Sequence, residues 1–124
     1  MVDDKVYQRI YDKLDEFLLP GWGKLIVYLE YGKESYTFSF YEKIKKRFIN
    51  GYDLPGVTEE KIDASFREID KLILKERKKE KNNLWTNMTM IVTSTGNMKA
   101  DFDYTDLSEG TYLYKKNWKK RYLK

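Results

Sequence analysis

Apolar residues recur along this chain with two different periods. Between residues 4 and 18, Val6, Ile10, Leu14, Phe17 and Leu18 fall on one side of a helical repeat, while Arg9, Asp12, Lys13, Asp15 and Glu16 take the other. That spacing predicts an amphipathic helix. Asp3 and Asp4 suit its start, as caps and as negative charge near the positive end of the helix dipole, and Pro20-Gly21 stops it. The period then drops to two. Leu25, Val27 and Leu29 alternate with Ile26, Tyr28 and Glu30, and Tyr36, Phe38 and Phe40 alternate with Thr37, Ser39 and Tyr41. These runs predict strands over 24–31 and 36–42, joined by a turn at 32–35. A basic connection at 43–47 leads to a weaker strand over 48–54, which Asn50-Gly51 interrupts or turns.

Past Pro55-Gly56 the helical period returns. Thr58 is a good N-cap, Glu59 and Glu60 occupy the first turn, and Ile62, Phe66, Ile69, Leu72 and Ile73 form a stripe. Cations crowd the far end of this helix, which stops at Asn82-Asn83. Strands follow over 85–93, with Met88, Met90 and Val92 alternating, and over 98–104, after a turn at 94–97. A short tail-like helix fits 112–123. The order is α-β-β-β-α-β-β with a C-terminal helix. Short connections make the sheet mostly antiparallel, and two one-sided helices fit one face of it. The expected fold is α+β, a two-layer sandwich, forming one domain over 1–124. Ile10, Leu14, Val27, Phe38, Phe66, Ile69, Met90 and Phe102 should share one core.

Composition changes the picture mainly by exclusion. The chain of 124 residues is 41% hydrophobic and 16% aromatic, enough for a core, and it has no Cys and no His. Disulfides, zinc sites of the usual kind, and Ser–His or Cys–His nucleophiles are therefore ruled out. The N-terminus carries no apolar run of signal-peptide length, and no stretch reaches transmembrane length, so a cytoplasmic protein is expected.

Charge singles out one stretch. The net charge is +4, yet Asp101, Asp103, Asp106 and Glu109 follow one another with no base among them. On a strand, Asp101 and Asp103 share a face, with Asp106 continuing into the loop. Three carboxylates could hold a hard cation, or a pair could do glycosidase-type work. Nothing fixes a metal geometry or raises one pKa, so no cofactor and no catalytic residue is assigned. The same acids suit electrostatic recognition, with Glu30 and Tyr28 extending the patch to a neighbouring strand and Tyr28, Tyr41, Tyr104 and Tyr112 as candidate aromatic anchors. The basic runs 43–47, 75–81 and 115–124 give the competing reading, a small basic nucleic-acid-binding protein. No zinc-finger, RNP or helix-turn-helix signature accompanies them.

The run Asp101-Phe-Asp-Tyr-Thr-Asp-Leu107, then Tyr112 and Tyr114, then Trp118-Lys-Lys-Arg-Tyr-Leu123, resembles the ending of the YezG-like immunity proteins. The N-terminal amphipathic helix, Pro20-Gly-Trp22 before a strand, and Trp85-Thr86 after the long helix agree with it. The resemblance implies an antitoxin that binds and silences the toxin domain of a secreted LXG-type polymorphic toxin, often a nuclease. It implies a protein partner and no catalysis, while the lack of a transmembrane-length stretch and of a nucleic-acid-binding signature speaks against a membrane or a nucleic acid as partner. Asp101, Asp103, Asp106, Glu30, Tyr28 and Tyr104 are the candidate contacts.

Overall fold

The computed structural model describes residues 4–32, 35–79 and 84–124. Helix α1 (Asp4–Leu14) runs into one 3₁₀ turn at Asp15–Phe17. Strands β1 (Trp22–Tyr31), β2 (Tyr36–Ile44) and β3 (Arg47–Asn50) follow, then a second 3₁₀ turn (Gly51–Asp53) and helix α2 (Glu59–Lys79). Strands β4 (Asn87–Thr93) and β5 (Met98–Asp103) and helix α3 (Tyr112–Tyr122) complete the chain. The expected α+β class and element order hold.

The five strands lie in the order β3-β2-β1-β4-β5, every neighbouring pair antiparallel. β1 is central, and Leu25 to Leu29 are buried on both faces, which explains its unbroken apolar run. α2 carries the chain from the β3 edge across the sheet, so that β4 can pair with the free side of β1.

The first face holds the main core. Ile10, Leu14, Leu25, Val27, Leu29, Phe40, Ile62, Ile69, Ile73, Met88 and Met90 are all fully buried there. Phe38 and Phe66 belong to the same cluster and Phe102 packs against it at the sheet margin, so the expected core residues do meet. Edge-to-face rings join the layers, Phe66 standing 5.6 Å from Phe38 and 6.0 Å from Phe40. Tyr31 Oη donates to Asp70 of α2 at 2.7 Å. The Arg77 guanidinium stacks 4.6 Å from both the Tyr31 and the Trp85 rings and donates to the Trp85 carbonyl.

Local details differ from expectation. β2 continues to Ile44, and the connection to β3 is a tight turn at Lys45 and Lys46, with Lys45 at φ 59°. Cross-strand pairing extends the strand through residues whose charges suggested a loop. β3 ends at Asn50, whose side chain accepts from the Tyr52 N–H at 3.0 Å and so caps a 3₁₀ turn. Gly51 is required by close approach, because a Cβ there would lie 2.3 Å from the Phe40 ring. Thr58 caps α2 by accepting from Lys61 N–H at 3.3 Å. The expected cap at Asp3 and helix stop at Asn82-Asn83 lie outside the described residues, as does the middle of the 32–35 turn.

Glu42 is the exception in the main core. It is fully buried on the same face as Phe40, and its Oε1 accepts from the Leu19 N–H at 2.9 Å. Its Oε2 has no partner, and burial raises its pKa above the usual carboxylate value despite that hydrogen bond.

Candidate functional site

Strand alternation places Tyr28 and Glu30 of β1, Tyr41 of β2, Thr89 of β4 and Asp101 and Asp103 of β5 on the second face, as the sequence pattern implies. That face is not open, because α3 lies across it. Three aromatic residues four positions apart, Tyr114, Trp118 and Tyr122, point one helix side at the sheet.

Each of them ends in a polar atom that finds a partner. Tyr114 Oη donates to Asp103 Oδ2 at 2.5 Å, Trp118 Nε1 donates to Thr89 Oγ1 at 2.9 Å, and Tyr122 Oη donates to Asp101 Oδ2 at 2.8 Å. The Trp118 ring packs edge-on to Tyr28 at 4.9 Å, with Tyr41 at 5.7 Å and Tyr122 at 5.4 Å. The second core is therefore small, aromatic and hydrogen-bonded.

Lys115 closes the arrangement. Its Nζ sits 3.3 Å from the Tyr28 ring centroid and 4.4 Å from that of Trp118, and donates to Ser39 Oγ at 3.3 Å. Burial pulls its pKa down to about 7, against the attraction of Glu30 and with a further push from Lys119. Tyr28 Oη donates to Glu30 Oε1 at 2.5 Å.

The sequence candidates thus separate into three groups. Tyr28 has no exposed surface, which corrects the expectation that it lies open on the acidic face. Under α3 it can shape a contact only through Glu30 and Lys115. Asp101, Asp103 and Glu30 are half-buried at the border of the helix. Burial disfavours the Asp103 charge, but hydrogen bonds from Thr105 Oγ1, Tyr114 Oη and backbone N–H groups outweigh it, and the carboxyl is held below its usual pKa. Asp106 and Tyr104 are exposed. Asp106 accepts from the Ser108 N–H at 2.9 Å, which lowers its pKa and fixes the loop.

Two of the candidate anchors, Tyr104 and Tyr112, stand in solvent, and the structure adds Leu113, which the sequence pattern did not single out. Tyr112 is 82% exposed, Leu113 67% and Tyr104 57%, on either side of the loop that carries Asp106 and Glu109. Tyr114 ties the first turn of α3, which carries Tyr112 and Leu113, to the end of β5, which Tyr104 follows. No cation lies between Lys99 and Lys115. Large side chains left in water beside unbalanced acids are a feature of contact surfaces. The three-rung pattern of Tyr114, Trp118 and Tyr122 was the available sequence signal that α3 docks. Among the described residues no three carboxylates come close enough to hold a metal ion, and no helix is long and apolar enough to cross a membrane.

Comparison with known proteins is consistent along almost the whole chain. A family model described as immunity protein YezG-like matches residues 4–124. A relative from Bacillus spizizenii, named Immunity protein YezG, is 30% identical over 110 residues, covering 82% of this chain and 68% of that protein. A relative of the same name from Bacillus subtilis is 27% identical over 110 residues, covering 82% of this chain and 73% of that protein.

Proposed function

Because the chain belongs to the YezG-like immunity protein family, we propose that it is the antitoxin of a secreted LXG-type polymorphic toxin. It acts in the cytoplasm of the producing cell, forming a stoichiometric complex with the toxin domain and doing no chemistry of its own. The observation that carries this reading to a surface is the acidic, aromatic lobe from Tyr104 to Leu113. Within a chain of net charge +4, it offers Asp106 and Glu109 beside three large exposed side chains. A lobe of this kind fits a cationic toxin surface, and a nuclease has such a surface where it meets phosphates. Tyr104, Tyr112 and Leu113 supply area that loses water on contact, Asp106 and Glu109 steer the encounter, and Asp101, Asp103 and Glu30 flank the contact as the border of α3.

The test is co-expression with the toxin domain encoded in the adjacent reading frame, followed by calorimetry on the purified pair. The expected result is rescue of growth and a one-to-one complex. Asp106→Lys with Glu109→Lys should slow association by about ten-fold at low salt and less at high salt. Tyr112→Ala should speed dissociation instead. The exposed bases Lys116, Lys119 and Lys120 on the outer side of α3 favour the second reading, nucleic-acid binding. That reading is adopted if the free protein binds duplex DNA or RNA with a steep salt slope and the toxin domain is not bound.

A further inference from the structure

The sheet has two edges, and they are finished differently. β3 is four residues long and is entered through Lys45, Lys46 and Arg47. Short length and cationic side chains are the usual ways to blunt an edge against pairing. β5 is six residues long, contains no proline, and has no strand beyond it among the described residues. Alternate residues of such a strand direct N–H and C=O groups outward, where they await partners.

α3 lies over the middle of the sheet and reaches β5 only through the tips of Tyr114 and Tyr122, which grip Asp103 and Asp101 on the strand's face and leave its outer main-chain edge without a strand partner among the described residues. Between the helix flank and the strand runs a groove of about 520 Å³, bordered by Asn117 and Arg121 on one side and Asp103 on the other. A second groove of about 440 Å³ continues it past Met98 and Lys99, with Asp101 and Arg121 common to both. Ala100 and Phe102 line the first groove although their side chains pack toward the main core on the opposite face, so what they present to it is main chain. The trough is also electrically polar. Asp103 makes one end acidic. Lys99 and Arg121 make the other end basic, and Asp101 lies between them.

We propose that the free edge of β5 receives an extended segment of the toxin partner as a sixth strand, basic where it passes Asp103 and acidic where it passes Lys99 and Arg121. This rests on the antitoxin reading above and names the mode of contact. Main-chain hydrogen bonds along the edge hold the segment, and its alternate side chains drop into the trough. The charge gradient fixes which end goes where, because reversing the segment puts like charges together at both ends.

Hydrogen–deuterium exchange on the full chain, free and in complex with the toxin domain of the adjacent reading frame, tests it without any mutation. The expected result is at least ten-fold slower exchange at the outward amides of 99–103, with a matching protected stretch in the toxin. Lys99→Glu with Arg121→Glu should weaken the complex at least ten-fold, and reversing the acids of that toxin stretch should restore it. If the complex forms and 99–103 exchange as in the free protein, the inference is overturned while the antitoxin reading stands. If no complex forms, both are overturned. If the free chain is already a dimer that protects 99–103, the edge serves self-association and the inference is overturned.

Discussion

The two faces of the one sheet are built on different terms. The face under α1 and α2 is closed mostly by apolar area: Ile10, Leu14, Ile62, Ile69 and Ile73 meet Leu25, Val27, Leu29 and Met88, with polar contacts confined to its margin, Tyr31 to Asp70 and Arg77 to Trp85, and to the buried Glu42. The face under α3 has a cluster of four buried hydrophobic residues, Ile26, Tyr28, Tyr41 and Trp118, beside the buried polar Asn87 and Thr89, and three hydrogen-bonded aromatic tips. Apolar burial is non-directional and tolerant, whereas a hydrogen-bonded contact has to be met atom by atom. The first face therefore makes the domain, and the second positions a helix.

The largest effects should fall on the first face. Phe66→Ala removes a ring that touches Phe38, Phe40 and Tyr52, and should cost about 3–5 kcal/mol of global stability by denaturant titration. Trp118→Ala should cost less, about 3 kcal/mol, because α3 is peripheral. The two should differ in kind as well as size. With Trp118→Ala the amides of α3 should exchange faster while those of β1 stay protected, whereas Phe66→Ala should raise exchange in both. Uniform acceleration in the Trp118 variant would erase the distinction between the faces.

The same contrast governs what was legible in the sequence. The stripes Val6-Ile10-Leu14 and Ile62-Phe66-Ile69-Ile73, and the alternation in β1, β2, β4 and β5, are records of one-sided burial, and they place four strands and two helices, while the short β3 leaves a weaker trace broken by Asn50-Gly51. α3 left no such record. Its inward residues are tyrosine and tryptophan, its other positions are mostly lysine, and a stripe of amphipathic rings in a basic helix looks like a solvated tail. For this reason Asp101 and Asp103 were assigned to the right face, but that face was expected to be open. Leu113 escapes notice for a related reason, since exposure belongs to the folded chain and no period announces it.

A third prediction concerns the polar intruder on the apolar side. Burial raises the Glu42 pKa above its ordinary value of 4.5, so the folded protein binds more protons than the unfolded chain as pH rises through that value. Stability attributable to this group is present below 4.5 and is lost as pH climbs through the raised folded value. Glu42→Gln imitates the protonated form and keeps an oxygen for the Leu19 N–H. It should match the wild type near pH 4 and exceed it at pH 7 in thermal melts. A variant less stable than the wild type at pH 7 would mean that the carboxylate is ionised and held by more than the Leu19 bond.

The smallest effects should come from single atoms on the second face. Tyr114→Phe and Tyr122→Phe each delete one hydroxyl and keep the ring, and each should cost about 0.5–1.5 kcal/mol at pH 7. Their pH dependence separates them from ordinary packing losses. Asp103 is held below its usual pKa partly by Tyr114, so this carboxylate adds stability above its unfolded value, and that contribution is lost as pH falls through the lowered folded one. Without the Tyr114 hydroxyl the Asp103 carboxyl should titrate higher, visible in its side-chain carbon shift. The stability gap between Tyr114→Phe and wild type should then narrow as pH falls through the acid limb. Phe66→Ala, whose ring neighbours Phe38, Phe40 and Tyr52 do not titrate in acid, should show a gap that does not follow this limb. If the Tyr114 gap is also flat with pH, the Tyr114–Asp103 bond contributes only as packing, and α3 is held by its rings alone. The double variant sharpens the point. Tyr114 and Tyr122 grip neighbouring carboxylates from opposite ends of one helix, so a cost larger than additive would show that α3 docks as a unit, and a simple sum would show two independent latches.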